Sequence, residues 1–326
     1  MSDDIGHEQH ELIEQTGLVK SHAELFRSRF HGAIAFITGG ASGLGFAQAR
    51  LLGALGLRVV IADVQQESLE SASKKLQNEN IEVLPIQLDV RDRAAYAAAR
   101  ENAYKYFGDH PRLLFNTAGV NGFGPLHNAS FGDFDWILGV NLHGVINGIQ
   151  TFLPTMLNRN ETSWIATTGS MAGFMGNASA GIYAATKAAV FNLMESYHKT
   201  LPDLGVGVSI VCPASMRSNI ADTLDVRPPE LAETSSFSDD SEFKQLQREL
   251  YATGMDPLQL AGHVIEGIVN RRLYILPFTE TREGLRQYFD QVISAFDHYG
   301  RPDEEAQRRA ENFVKYQRAV AKLQQS

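Results

Sequence analysis

The sequence predicts an α/β fold in which a parallel sheet is covered by helices on both faces. Three observations carry that expectation. Short apolar runs rich in β-branched residues alternate with longer amphipathic stretches along most of the chain. The first such run opens directly into a glycine-rich turn and then a helical stretch. The chain has 326 residues, 44% of them apolar, which suffices for one large or two ordinary domains with a sizeable core.

Residues 1–30 precede the pattern, and Leu12-Ile13 and Leu18-Val19 suggest a short amphipathic segment that packs on the body or on a partner. Residues 33–38 read as a buried strand, because the run is apolar, β-branched and aromatic and ends in glycines. A helix is expected over 44–55, closed by Gly56, which suits the positive φ of a helix C-terminus. Strands are then expected at 58–63, 82–88, 113–116, 163–168, 206–211 and 273–276. Helices are expected between them at 67–78, 93–107, 134–157 and 183–201. This alternation implies right-handed βαβ units.

Two regions break the rhythm. Residues 222–256 contain Pro228-Pro229 and the Ser- and Asp-rich run 235–240, which reads as an irregular substrate loop or lid. Residues 281–326 read as a C-terminal helical extension. There Leu285, Tyr288, Phe289, Val292, Ile293 and Phe296 recur at helical spacing, expected to be packing surface.

The net charge of −9 argues against a general nucleic-acid binder, which would show a basic stripe. No apolar stretch approaches the roughly 20 residues that span a bilayer, and the acidic N-terminus lacks the features of a secretory signal. The expected location is cytoplasmic, with no membrane partner. The single cysteine, Cys212, cannot form an intramolecular disulfide and is read as a small buried hydrophobe. His127, His143 and His263 are scattered and are read as structural, so no metal site is expected.

The turn Thr38-Gly39-Gly40-Ala41-Ser42-Gly43-Leu44-Gly45 follows a strand and opens a helix. Glycines at this spacing allow a tight turn, close approach to a pyrophosphate and close helix–strand packing. Asp63 ends the second strand, 18 residues after Gly45. A carboxylate there accepts hydrogen bonds from an adenosine ribose and repels a 2′-phosphate. Val64, Gln65 and Gln66 follow it, with no Arg or Lys, so NAD is favoured over NADP.

Downstream, Tyr183 and Lys187 stand one helical turn apart, with Ser170 thirteen residues upstream. Alone that spacing is common by chance. Together with the glycine turn, Asn116-Thr117-Ala118-Gly119 and Asn141, it resembles the short-chain dehydrogenase/reductases over about residues 30–280. The resemblance implies a single Rossmann-type doubly wound parallel sheet of about seven strands over 31–280. It also implies NAD-binding roles for Gly39, Ser42, Gly43, Leu44, Gly45 and Asp63, with Asp89 and Val90 beside the adenine. Asn116, Ala118 and Gly119 would support the adenosine side; Thr117 stands where the family often has a second Asn. Pro213, Met216 and Ser218 lie in a segment similar to the family's nicotinamide contact, with Ala214 in place of the usual Gly and Ser218 of the usual Thr. Tyr183 and Lys187 also count among the cofactor contacts.

The same resemblance assigns Tyr183 as acid/base, Ser170 as hydrogen-bond partner of the substrate oxygen, and Asn141 as anchor of a water linking Lys187 to solvent. Chemistry supports the assignment. Oxidising a secondary alcohol releases a proton, and a phenol of pKa about 10 is too weakly acidic to serve as a base near neutrality. A cation on the same helix face and an oxidised nicotinamide both favour the phenolate. Lowering that pKa by about 3 units takes roughly 4 kcal/mol.

Phe123, Met171, Phe174 and Met175, with Leu126 and Met216, are candidate substrate contacts, and they suggest a hydrophobic or aromatic secondary alcohol or its ketone. Residues 213–220, Arg272-Leu273-Tyr274 and 39–43 are similar to NAD-dependent aryl-ether benzylic alcohol dehydrogenases. Competing readings are an NADPH-dependent biosynthetic ketoreductase and a nucleotide-sensing protein without turnover. The family implies a homodimer or homotetramer formed through the helices at 134–157 and 183–201.

Overall fold

The structure is a computed structural model that describes residues 7–232, 241–299 and 304–323. The chain divides into two units, Met1–Phe278 and Thr279–Ser326.

The larger unit runs α1 (His7–Gln15), α2 (Lys20–Phe30), β1 (Ile34–Thr38), α3 (Gly43–Ala54), β2 (Arg58–Asp63), α4 (Gln66–Asn78), β3 (Val83–Gln87), α5 (Arg93–Phe107) and β4 (Leu113–Asn116). It continues through α6 (Phe131–Leu138), α7 (Gly144–Leu157), β5 (Ser163–Thr168), α8 (Gly181–His198), β6 (Val206–Val211), α9 (Ser241–Ala252), α10 (Pro257–Val269) and β7 (Tyr274–Ile275). All strands pair in parallel in one sheet of order β3-β2-β1-β4-β5-β6-β7. From β1 the chain winds outward to β3, then returns to place β4 on the other side of β1. That reversal leaves a crevice beyond the carboxyl ends of β1 and β4, where such sheets bind ligands.

The central strands β1 and β4 are buried along their whole length because both faces of the sheet are covered there, whereas the edge strand β3 is buried only in part. In β1, Ala35 and Ile37 point into a core shared with α3 and α10, while Ile34 and Phe36 point into the opposite core. Phe36 is fully buried, its ring 4.5 Å from that of Phe152. Burial of a side chain of this size contributes about 2–3 kcal/mol. Pro85 sits in β3, the sheet's edge, where a missing N–H costs no ladder bond.

The N-terminal extension is built into the first of these cores. Leu12, Ile13, Leu18, Phe26 and Phe30 are buried, and the two phenylalanine rings lie 5.0 Å apart. Gly262 on α10 lets this segment approach; a Cβ there would sit 2.7 Å from the Thr16 carbonyl. Val19, expected on the same apolar face, is exposed.

Two expectations differ from the structure. The stretch 134–157 is not one helix: α6 and α7 are separated by a π-helical turn, Gly139–His143. Helical periodicity is nearly blind to one extra residue in a turn. The irregular stretch expected at 222–256 contains a three-turn helix, α9, preceded by 3₁₀ turns at Ile220–Val226 and Pro229–Leu231. Phe243, Leu246 and Leu250 recur along it at helical spacing, but the helix is polar on average and follows Pro228-Pro229 and a run of serines, which read as loop; residues 235–240 lie outside the described residues. In the smaller unit, α11 (Arg282–Ser294), α12 (Phe296–Tyr299) and α13 (Glu304–Leu323) are helical. No residue of α11 is buried, and Phe289, Val292 and Ile293 are exposed. Spacing tells which residues share a face, not what covers it.

Candidate active site

A cavity of about 730 Å³ occupies the crevice. Its floor is the glycine turn. Gly39 (φ +66°) must lack a side chain, because a Cβ would lie 2.9 Å from the backbone of Ala118 on the next crossover. At Gly45 a Cβ would lie 2.1 Å from the Gly39 carbonyl oxygen. The turn can therefore close tightly, and α3 begins at Gly43 with Ser42 in extended conformation before it. No side chain caps this helix, so its first N–H groups are free to meet negative charge. Thr38 ties the turn to β4, its Oγ1 accepting from the N–H groups of Thr117 (3.1 Å) and Ala118 (3.2 Å).

Asp63 stands at one end of the cavity. Its carboxylate accepts from the N–H of Ala41 (3.3 Å) and of Gln65 (3.1 Å), which aims it at the space above the turn. Burial raises its pKa above the ordinary carboxylate value, against those N–H bonds. Asp89 and Val90 line the wall beside it. Burial also works against the charge on Asp89, but the paired hydrogen bonds from Arg91 prevail and hold its pKa below the usual value. Ala118, Gly119, Pro213, Met216 and Ser218 line the cavity as well. Asn116 does not reach it: buried at the end of β4, it donates to Thr167 across the strands (3.3 Å) and supports the turn from below.

At the other end, Ser170, Tyr183 and Lys187 come together on the cavity wall. Ser170 leaves β5 and caps the short turn Met171–Gly173, its Oγ accepting from the Ala172 N–H at 3.1 Å. Tyr183 and Lys187 share one face of α8. Lys187 is 3% exposed; its Nζ donates to the Thr168 carbonyl (2.8 Å) and lies 5.4 Å from the centroid of the Tyr183 ring. Burial lowers its pKa to about 8, so it still carries charge at neutrality. Burial pushes the Tyr183 phenol up to about 12, while the Ser170 hydroxyl acts in the lowering direction. In the chain by itself Lys187 thus points past the phenol to a carbonyl, and desolvation decides where Tyr183 titrates.

Asn141 sits on the π-helical turn, the local irregularity that carries its side chain inward. Its Oδ1 accepts from the Val120 N–H and its Nδ2 donates to the Val120 carbonyl, both at 2.9 Å; Nδ2 also faces Thr186 Oγ1 at 3.3 Å. It clamps the loop after β4 to the helix that bears Tyr183 and Lys187. Around Gly119 the Asn141 amide oxygen and the Lys187 ammonium approach the same point, 3.5 and 3.7 Å from where a Cβ would be.

Of the substrate candidates, Phe123, Met171 and Met216 line the cavity. Phe174, Met175 and Leu126 are not among its lining residues. The Phe174 ring packs 4.3 Å from Phe191 and 6.3 Å from Tyr274, away from the crevice. Val120, Asn121, Trp136, Asn177, Thr223 and Tyr251 line the cavity without having stood out in the sequence. Nothing local to them signals this; loops and the α9 segment distant in sequence bring them there.

Comparison with known proteins agrees with this geometry. The family model described as short chain dehydrogenase matches residues 33–227. A C alpha-dehydrogenase of Sphingobium sp. strain SYK-6 is 43% identical over 289 residues, 89% of this chain and 94% of that protein. Among solved structures, the apo form of LigD from the same strain covers 84% of this chain and 100% of its own, at 40% identity and a TM-score of 0.70. A short chain dehydrogenase/reductase from Burkholderia phymatum, solved in complex with NAD, covers 85% and 98% at 34% identity and a TM-score of 0.78. Among the described residues no helix is long and apolar enough to cross a membrane.

Proposed function

The chain belongs to the short-chain dehydrogenase family, and from that premise we propose that it interconverts a hydrophobic or aromatic secondary alcohol and its ketone, with NAD as hydride carrier and Tyr183 as acid/base. One observation carries the reading: Ser170, Tyr183 and Lys187 converge at one end of the cavity whose other end holds the glycine turn and Asp63.

The residues present fit a dinucleotide. The turn leaves room over Gly43, where an added Cβ would meet only Ser218, at 3.9 Å, and the free N–H groups of α3 suit a pyrophosphate. Asp63 is already oriented by two N–H groups and suits an adenosine ribose. Its neighbours on the wall are Val64, Gln65 and Ser68, none basic, and Arg91 is engaged by Asp89. These features favour NAD over NADP. When bound, the dinucleotide supplies the acceptor or donor of hydride.

The protein's own residues handle the proton. In the oxidative direction Tyr183 Oη takes the proton of the carbinol, and the Ser170 hydroxyl donates to the same oxygen. In the reductive direction Tyr183 returns the proton. A phenol pushed up to about 12 is protonated at neutrality, the form that reduction uses. Oxidation therefore gains from added positive charge near the phenol, which the Lys187 ammonium, 5.4 Å from the ring centroid, and an oxidised nicotinamide would supply. Phe123, Met171 and Met216 provide apolar wall for an aryl group. The names of two relatives, a C alpha-dehydrogenase and an enzyme crystallised with NAD, support the carbinol and the cofactor.

The test is a panel of aromatic and alicyclic secondary alcohols, assayed with NAD and with NADP by the absorbance of the reduced cofactor. Turnover of aromatic members with NAD is expected, at least tenfold more efficient than with NADP. Asp63→Ser is expected to shrink that cofactor ratio by about tenfold, as the loss of one or two charge-assisted hydrogen bonds and one repulsion would do. A wild type that prefers NADP would overturn the Asp63 argument and favour a biosynthetic ketoreductase instead.

A further inference from the structure

Two polar side chains that line the cavity have no role in the proposed reaction: Asn121, whose buried Oδ1 has no partner among the described residues, and Tyr251. Ser170 and Tyr183 are committed to the carbinol oxygen, and Asn141 to Val120 and Thr186. The Thr223 hydroxyl donates to the carbonyls of Asn121 and Ile220, and Asn177 Oδ1 accepts from Ser179 within its own turn. Tyr251, near the end of α9, lines the same cavity, and among the described residues its hydroxyl has no hydrogen-bond partner within the protein. The phenol stands close enough to Tyr183 for a charge on it to raise that residue's pKa. Burial raises the pKa of Tyr251 as well, so at neutral pH it is a hydrogen-bond donor.

Tyr251 is held there by the backbone. Ser215 Oγ donates to the Leu250 carbonyl (3.1 Å), and the Met255 N–H donates to the Ser215 carbonyl (2.9 Å). Gly254 passes so near Met216 that a Cβ would lie 2.6 Å from its backbone nitrogen. Further out, Arg248 pairs with Asp222 (2.7 Å) and Lys244 with Asp225 (3.2 Å), and the Phe243 ring meets Phe123 edge-on at 6.1 Å. The helix is thus fastened to the segment Pro213–Ser218 on one side and to the cavity rim on the other. A tyrosine placed so is a fixed part of the cavity wall.

We propose that Tyr251 is a specificity-determining residue whose hydroxyl donates to a second oxygen of the substrate, next to the reacting carbinol. The preferred substrate class is then aryl carbinols bearing a vicinal hydroxyl, over aryl carbinols without one. This rests on the function proposed above and specifies its substrate.

The test compares kcat/KM for styrene glycol and for α-methylbenzyl alcohol with NAD, in the wild type and in Tyr251→Phe. The wild type is expected to prefer the glycol by about tenfold, the discrimination of one hydrogen bond. In Tyr251→Phe the ratio is expected to fall toward one. A general loosening of α9 lowers both rates and leaves the ratio where it was. A ratio retained in the variant, or absent in the wild type, overturns the proposal while leaving the dehydrogenase reading intact. A wild type that oxidises neither compound overturns that reading, and this inference with it.

Discussion

Tyr183→Phe is expected to lose at least a thousandfold in kcat/KM for alcohol oxidation while still folding and still binding NAD. The substitution removes one oxygen from a buried site and leaves the ring, so the packing of α8 is kept. What disappears is the acid/base group assigned to the carbinol, with Ser170 beside it; general acid–base catalysis contributes about 10²–10⁴-fold. The pH profile of the wild type belongs to the same expectation. Burial places the phenol at about 12 in the chain alone, so oxidation should rise with pH, since it uses the deprotonated form. Reduction should be flat at neutral pH and fall only at high pH. Steady-state rates with NAD and a fluorescence titration of NADH binding check both parts. A variant that keeps its oxidation rate would remove Tyr183 from the mechanism.

Lys187→Met is expected to abolish oxidation almost as completely, yet to make the nucleotide-free protein more stable at pH 7. The ammonium is buried, and burial lowers its pKa from 10.5 to about 8. That drop corresponds to roughly 3 kcal/mol of cost carried by the folded state below pH 8. The sign follows from proton counts. Between about 8 and 10.5 the folded state binds fewer protons than the unfolded chain, so the wild type gains stability as pH rises through that window. The variant's advantage should therefore be largest at neutral pH and shrink as pH approaches 10.5, reduced throughout by the Thr168 carbonyl left without its donor. Thermal unfolding of both proteins across that range measures it. A variant less stable than the wild type at pH 7 would mean that the bond to Thr168 outweighs the desolvation.

Burying the Lys187 ammonium is a cost to the fold, and parts of the site that bears it were legible in the sequence. Gly39, Gly43 and Gly45 stand in one turn, and each answers to a backbone demand that few other residues meet. Asp63 terminates a strand whose register with β1 sets it beside that turn, Thr38 pairing with Ala62. Tyr183 and Lys187 lie one helical turn apart, so their shared face follows from helix geometry. The central strands were legible because burial on both faces makes them short apolar runs, β1 and β4 above all.

What the sequence hid depends on contacts between distant segments. Phe123, Met171 and Phe174 are all apolar and all near the site in sequence, but only tertiary packing decides that Phe174 joins Phe191 and Tyr274 instead of the cavity. Asn141 was recognisable by its place in the pattern; that it stands on a π-helical turn and clamps Val120 was not, because one extra residue scarcely alters the periodicity of the flanking helices. Tyr251 belongs to a polar helix with no motif of its own, and its position follows from bonds its neighbours make, Ser215 Oγ to the Leu250 carbonyl and the Met255 N–H to the Ser215 carbonyl. The direction of the Lys187 ammonium, toward Thr168 and past the phenol, is likewise a matter of local geometry that spacing cannot give.

The measurement that bears most directly on the whole account is the fate of the carbinol hydrogen. Wild-type protein is incubated with NAD and α-methylbenzyl alcohol or styrene glycol carrying deuterium at the carbinol carbon, and the reduced cofactor is analysed by mass spectrometry. The expected result is NADH bearing one deuterium, with the matching ketone formed in equal amount. Ketone formed without deuterium in the cofactor, or NAD bound and returned unreduced with every carbinol offered, would contradict it.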